Sequence, residues 1–319
     1  MDDRIQRHAE ILVDHCTDVS AGENVAVSGP PVAEELLIAV AEQLGEVGAN
    51  ASIRLVSQRA SRAYRRAIDP DDVELSEPAL AMAEETDVMI NVGGAINTNE
   101  TGDVDPETNA AFAAANKPVQ EARMDTRWVA TAFPAPGNAQ DAEMSTAAYE
   151  EFVWSAIDKD WEAQREFQAR MVEILEDASE VRIVSGDTTD VTMRVDGMLP
   201  QNDYGEKNMP GGEVYTAPIK DSVEGEVLFD KPLMAQGREV EGVRLSFEDG
   251  EVVDHAAEKN ESVLTELLNT DEGARYLGEL GIGMNRDIDQ FTYNMLFDEK
   301  MGDTVHMAVG RAYEDTVGE

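Results

Sequence analysis

Apolar positions change their period part-way along this chain: they recur at helical spacing, between short apolar runs, before about residue 179 and alternate with polar ones after it. Residues 4–16 carry Ile5, Leu12 and Val13 on one helical face and meet the turn Ser20-Ala21-Gly22-Glu23-Asn24. Val25-Ala26-Val27-Ser28 predicts a short buried strand, Gly29-Pro30-Pro31 a loop, and Val32 to Val47 a helix that stops near Gly48. Ile53-Arg54-Leu55-Val56 predicts the next strand. Strand, helix, strand in that order implies a parallel sheet with helices packed on it.

The pattern returns at Val88-Met89-Ile90-Asn91-Val92, followed by Gly93-Gly94 and a helix around Glu107 to Ala115. Two glycines after a strand could cradle a phosphate, but the G-x-G-x-x-G spacing and a Walker lysine are both missing, so a tight strand exit is the better reading and a nucleotide-dependent enzyme the weakest one. Asp125-Thr126-Arg127-Trp128 through Phe133-Pro134-Ala135-Pro136-Gly137-Asn138 reads as an irregular connection. Ser145 is placed to cap a helix running to about Ile157, and a second helix runs from Trp161 to about Glu176. Strand patterns follow at Val181 to Val184, Val191 to Val195, Val223 to Phe229 and Val243 to Phe247, with Asp249-Gly250 as a two-residue turn before Val252-Val253. These features place a boundary near Ser179. Residues 1–179 are expected to form an α/β domain with an open, mostly parallel sheet, and residues 180–319 a β-rich α+β domain.

Composition narrows the class. At 319 residues the chain is long for one ordinary core, which agrees with two domains. No apolar run approaches the roughly 20 residues of a membrane span, and Met1-Asp2-Asp3-Arg4-Ile5-Gln6 lacks the pattern of a signal peptide, so a cytoplasmic protein without a membrane partner is expected. The formal net charge is -41, with acids dispersed rather than in a block and with lysine scarce, 7 against 18 arginines. Dispersed carboxylates suit a salty cytoplasm, where self-repulsion is screened within about 3 Å at 1 M salt. Nucleic acid is excluded as an expected partner, because phosphate binding needs a basic footprint. Arg59, Arg62, Arg65 and Arg66 form the one basic cluster, and ion pairing with this acidic surface is its expected role. The single cysteine, Cys16, excludes a disulfide framework and fits a buried core thiol.

Candidate chemistry gathers between Leu277 and Tyr313. Leu277-Gly278-Glu279, Tyr293-Asn294-Met295-Leu296-Phe297-Asp298-Glu299 and His306-Met307-Ala308-Val309-Gly310-Arg311-Ala312-Tyr313 place one of only four histidines between a glutamate and a tyrosine. Carboxylate and imidazole together suit a catalytic divalent ion such as zinc, cobalt or manganese. Further upstream, Met209-Pro210-Gly211-Gly212-Glu213-Val214-Tyr215 makes a sharp turn that could present Glu213 at a sheet edge. Taken alone, that turn is a glycine-rich loop with an exposed acid. His8, His15 and His255 lie outside these motifs and are expected at the surface or in packing.

In this order the motifs resemble the metallo-aminopeptidase family typified by aminopeptidases T and S: a Pro-Gly-Glu-Val turn, a Leu-Gly-Glu, an Asn-Thr-Leu-Phe-Asp-Glu-Asn segment, and a His followed by a Gly and a Tyr. Arg123-Met124-Asp125-Thr126-Arg127-Trp128 adds to the likeness, which covers most of the chain. Met295 and Lys300 stand where the family has Thr and Asn, and Val305 precedes His306 where a Cys is frequent; all three are taken as packing changes. The resemblance implies that Glu213, Glu279 and His306 ligate metal in a catalytic C-terminal domain, with Tyr313 beside the metals. It implies two divalent ions, about 3.5–4 Å apart, that hydrolyse N-terminal residues from peptides through an activated water. Glu279 would be ligand, general base or both, and Tyr313 an oxyanion donor or ligand. A homodimer is also implied. The family's closing His-x-Asp has no counterpart before Glu319, which points to a fragment of a longer protein; the alternative is a non-catalytic peptide-binding relative without those ligands.

Overall fold

A computed structural model describes residues 2–235 and 237–318 of the chain. The chain divides into two compact units, Met1–Lys159 with Gly205–Pro210, and Asp160–Tyr204 with Gly211–Glu319.

The first unit holds a five-stranded sheet in which Asn50–Leu55, Asn24–Gly29, Val88–Gly93, Arg127–Ala132 and Asn208–Met209 are neighbours in that order, every pair parallel. Parallel strands require helical crossovers, and the helix Glu34–Val47 supplies the first. It buries Leu36, Leu37, Ala39, Val40 and Leu44 on one face and ends where Gly48 turns left-handed at φ 84°. Asp2 caps the first helix, Asp3–Glu10, by accepting from Arg4 N at 2.9 Å. That helix continues as a π-helical stretch, Ile11–Cys16, whose wider turn rotates Cys16 off the apolar stripe; it is a partly exposed thiol rather than a core one.

Residues 125–138 are more regular than their composition suggests. Arg127–Ala132 is a strand paired over six residues with Val88–Gly93, and Pro136–Asp141 is a short helix. Trp128, Val129 and Thr131 favour a strand and pairing on both sides completes it; the Pro- and Gly-rich residues directly after it hide its end in the sequence. Ser145 caps Thr146–Ile157 as expected, accepting from Ala148 N at 3.2 Å. In the basic cluster, Arg62 and Arg66 both pair with Asp103, while Arg65 donates to Asn109 Oδ1 at 2.8 Å and stacks on Phe112.

His8 is a packing residue with a defined proton. Thr131 Oγ1 donates its one hydrogen to Met209 O at 2.7 Å and must therefore accept from His8 Nε2, 2.8 Å away. His8 Nδ1 is buried without a partner, and burial lowers the imidazole pKa to about 3.

The second unit opens with the helix Trp161–Asp177, capped by Asp160, and continues as antiparallel sheet. One sheet orders Glu251–Ala256, Arg244–Glu248, Glu224–Leu228, Thr189–Arg194 and Glu180–Ser185; Asp249 and Gly250, at φ 49° and 80°, form the expected two-residue turn. Its inward residues, among them Val191, Met193, Leu245, Phe247 and Val252, pack with Leu264 and Leu268 of the helix Glu261–Leu268. The other sheet orders Thr304–Val309, Leu277–Gly283, Glu213–Thr216 and Gln201–Asp203, all antiparallel. A parallel sheet with helices in the N-terminal part and antiparallel sheets in the C-terminal part is the expected fold class.

Candidate active site

Period two along three adjacent strands brings the candidate residues together. Gly281 is paired with Tyr215 on one side and His306 on the other, and Gly283 with Glu213 and Thr304. Directly paired residues share a face, as do residues two apart, so Glu213, Tyr215, Glu279, Gly281 and His306 all project from one side of the sheet. Val214 and Leu280 point the other way and are fully buried. A register irregularity between Leu277 and Glu279 lets Leu277 enter the core while Glu279 joins the polar face. Gly278 sits at that irregularity, where an added Cβ would run into the backbone of Gly310 and Arg311.

Glu213 Oε2 approaches His306 Nε2 to 3.1 Å and Glu279 Oε1 lies 3.4 Å from the same nitrogen. Lys300 Nζ takes the other oxygen of Glu213, Oε1, at 2.7 Å and lies 3.1 Å from Glu299 Oε2. Lys300 is 1% exposed and Glu213 8% exposed at the side chain, so this is a buried ion pair rather than a solvated one. Burial opposes protonation of His306, but the adjoining carboxylates of Glu213 and Glu279 outweigh it and raise the imidazole pKa to about 9. Burial likewise opposes the charge of Glu213, and His306 and Lys300 reverse that, holding its pKa below the ordinary range. Lys300 stays charged because Glu213, Asp203 and Glu299 overcome its burial.

The backbone under these side chains is clamped. Gln168, fully buried on the helix Trp161–Asp177, has its Nε2 within 2.7 Å of Asn202 Oδ1 and 3.0 Å of the carbonyls of Asp203 and Glu213. Gln164 donates to Gln168 Oε1 at 2.7 Å and so fixes the orientation of the amide. Gly212, at φ 118°, brings the turn before Glu213 so close to Asn285 that no side chain fits. Asn285 donates from Nδ2 to Gly211 O at 3.1 Å and from its backbone N to Lys300 O at 3.0 Å, tying the Glu213 turn to the loop that delivers Lys300. In that loop Asn294 caps the short helix Met295–Asp298. Asp298 accepts from Thr292 N and Oγ1 at 2.7 and 2.8 Å, and burial raises its pKa to about 6.

Tyr313 lies further out. It is 62% exposed, packs edge-on against Tyr215 with ring centroids 6.1 Å apart, and has its hydroxyl pKa raised by burial and by the charges of Glu279, Glu299 and Glu213. Glu213, Glu279 and His306 are thus brought together, with Tyr313 at their margin. Lys300, expected as a packing change, is instead an ion-pair partner of Glu213, because its ammonium is the nearest cation to a buried carboxylate. Tyr215 stands in the Glu213 motif itself, while Gln168 and Asn285 carry no motif signal.

Among the described residues, no three or more His, Cys, Asp or Glu side chains stand in an arrangement that could hold a metal ion without rearranging. The donor set nonetheless fits a divalent ion. Ligand atoms 2.0–2.2 Å from a tetrahedral ion lie about 3.4 Å from one another, close to the spacing of the Glu213 and Glu279 oxygens from His306 Nε2. Their contact lacks hydrogen-bond alignment, and Glu213 Oε2 and both ring nitrogens of His306 are buried without a hydrogen-bond partner. A buried carboxylate oxygen beside imidazole nitrogens that lack hydrogen-bond partners is a group a bound cation would satisfy, the cation displacing the imidazolium proton.

The family model for thermophilic metalloproteases (M29) matches residues 1–319. The chain belongs to that family. It is 28% identical to Aminopeptidase 2 of Geobacillus stearothermophilus over 98% of this chain and 84% of the relative. Over a third of its length, 34%, it is 42% identical to Aminopeptidase T of Thermus aquaticus, covering 28% of that protein. The solved structure of wild-type AmpT from Thermus thermophilus superposes with a TM-score of 0.86 at 27% identity, over 99% of this chain and 87% of that one. The expected enzyme class, a metal-dependent peptidase of the aminopeptidase T and S group, follows from these matches.

Proposed function

We propose that this member of the M29 family removes N-terminal residues from peptides, with Glu213, Glu279 and His306 as metal ligands in a peptidase domain spanning 180–319, the remaining residues 1–179 being an open α/β domain. The observation that carries the reading is the meeting of two carboxylates at one face-sharing imidazole, with Glu213 Oε2 and both ring nitrogens left without a hydrogen-bond partner. Bound divalent ions, two by family resemblance, would supply Lewis-acid polarisation of the scissile carbonyl and a water acidic enough to lose a proton at neutral pH. Glu279, less enclosed than Glu213 at 14% against 8% side-chain exposure, is the carboxylate placed to accept that proton. Tyr313 keeps its hydroxyl proton, because partial burial and then the surrounding acids disfavour the phenolate, and so donates a hydrogen bond to the developing oxyanion. A homodimer working in a saline cytoplasm completes the reading.

The test is hydrolysis of aminoacyl chromogenic substrates in concentrated potassium chloride after chelator treatment and readdition of zinc, cobalt or manganese. Metal-restored release of the N-terminal residue is the expected result, with loss of both activity and metal content in Glu213→Gln and His306→Ala. Substrate turnover that survives complete metal removal, or metal content unchanged in both variants, would refute the assignment.

A further inference from the structure

We infer that Lys300 is a fixed internal cation that occupies one oxygen of Glu213, restricts this carboxylate to single-oxygen ligation and lowers the site's affinity for divalent ions. The inference rests on the metal-site reading above. Three observations on different parts of the chain carry it. The first is the division of labour on Glu213: Oε1 is held by Lys300 Nζ at 2.7 Å, whereas Oε2 is the oxygen turned to His306 Nε2 and left without a hydrogen bond. One oxygen is therefore committed and the other is available.

The second is that the ammonium is delivered by construction rather than by a flexible arm. Gly283, the strand residue paired with Glu213, is bare, and an added Cβ there would meet Met301 O and the Lys300 carbonyl carbon. The Lys300–Met301 backbone passes through that space. Lys300 N donates to Phe297 O at 3.0 Å, its carbonyl accepts from Asn285 N at 3.0 Å, and Phe297 is fully buried. The side chain, at 1% exposure, has nowhere else to place its charge.

The third is the local charge count. Glu213, Glu279 and Glu299 each lie within ion-pair distance of Lys300 or His306, and Lys300 is the lysine cation held between Glu213 and Glu299. Removing one positive charge from beside a buried carboxylate strengthens its attraction for a divalent ion steeply, since the interaction is scarcely screened there. Lys300 thus does two things. It keeps the buried Glu213 matched with a cation when no metal is bound, and it weakens the grip of the site once metal enters.

The experiment measures manganese affinity by chelator competition, together with the rise in Tm on metal addition, for the wild-type chain, Lys300→Met and Lys300→Arg. Lys300→Met should bind manganese at least about tenfold more tightly, melt lower without metal and gain more on metal addition, while Lys300→Arg keeps wild-type affinity by keeping the charge. Affinity of Lys300→Met equal to or below wild type overturns the inference. A crystal structure of the metal-loaded wild-type chain tests it without any variant: Nζ still on Oε1 with metal on Oε2 supports it, and metal on both oxygens or a displaced lysine overturns it. Wild-type protein that binds no divalent ion brings down the metal-site reading as well, whereas metal binding indifferent to Lys300 brings down this inference alone.

Discussion

The imidazole of His306 lies across the bare Cα of Gly281, its paired residue on the neighbouring strand, so that a Cβ at position 281 would overlap the ring. A histidine lying flat over its strand neighbour reaches sideways, which is how Nε2 arrives within 3.1–3.4 Å of acids on two other strands. Gly281→Ala should therefore push the ring off the site. The expected result is a loss of divalent-ion affinity of about 10–100-fold, the range seen when a ligand loses the contact that orients it. Far-ultraviolet circular dichroism should stay unchanged, and chelator competition reads the affinity; an alanine variant with wild-type affinity would show that the ring has another way in.

Gln168 is a polar clamp from a helix onto two strands, and its loss should be felt as stability. Gln168→Leu keeps a side chain of similar size but leaves the Glu213 carbonyl and the amide oxygen of Asn202 short of a donor, whereas the Asp203 carbonyl still accepts from Gly212 N at 2.8 Å. Buried groups left unmatched cost about 1–3 kcal/mol, so urea denaturation should show a loss of about 2–3 kcal/mol with the m-value unchanged. Metal affinity should fall too, because Glu213 loses the anchor of its backbone. A loss under about 0.5 kcal/mol would mean that water or relaxed geometry replaces the clamp.

Much of this architecture was legible before the structure, and the parts that were not share a cause. Val25–Ser28, Val88–Val92 and the helix ending at Gly48 announce themselves because burial, period and capping agree locally. Arg127–Ala132 does not, because Pro134, Pro136 and Gly137 follow it directly and mask a strand that Trp128, Val129 and Thr131 favour. In the site, Glu213, Glu279 and His306 were visible through motifs, but their common face depends on pairing register, which no single strand encodes. Gly281 is one of 24 glycines and becomes informative only once His306 is known to lie opposite it. Lys300 resembled a tolerated substitution because nothing in Phe297-Asp298-Glu299-Lys300 reveals that the loop folds back over Gly283.

His8 predicts how the first unit responds to acid. Its pKa is about 3 when folded against an ordinary value near 6.5, so below pH 6.5 the unfolded chain takes up a proton that the folded one refuses. Stability from this residue is thus complete above pH 6.5 and falls as pH drops toward 3, by up to about 1.4 kcal/mol per pH unit. Carboxylates also titrate in that range, and His8→Gln separates the two effects, because an amide can still donate to Thr131 Oγ1 but cannot be protonated. Between about pH 7 and about pH 5 the wild type should lose about 2 kcal/mol more than the variant in urea titrations. Equal losses would place the acid sensitivity elsewhere.

Salt should stabilise the fold, and the sign follows from counting. Screening weakens favourable pairs such as Arg62 with Asp103 and Lys259 with Glu239 and Glu241, but 66 acidic residues face only 25 basic ones, so repulsion among carboxylates outnumbers attraction. Raising ionic strength from about 0.1 M to 1 M shortens the screening length from about 10 Å to 3 Å, which removes repulsion between neighbouring surface acids more completely than it removes ion pairs in direct contact. A gain of about 2 kcal/mol corresponds to about 3 °C for a chain of 319 residues. Thermal melts in potassium chloride should show that rise, with choline chloride at equal ionic strength giving most of it if screening is the cause and little of it if bound potassium is. A Tm that is flat or falls with added salt would mean that the ion pairs dominate and that the acidic surface is not a device for saline conditions.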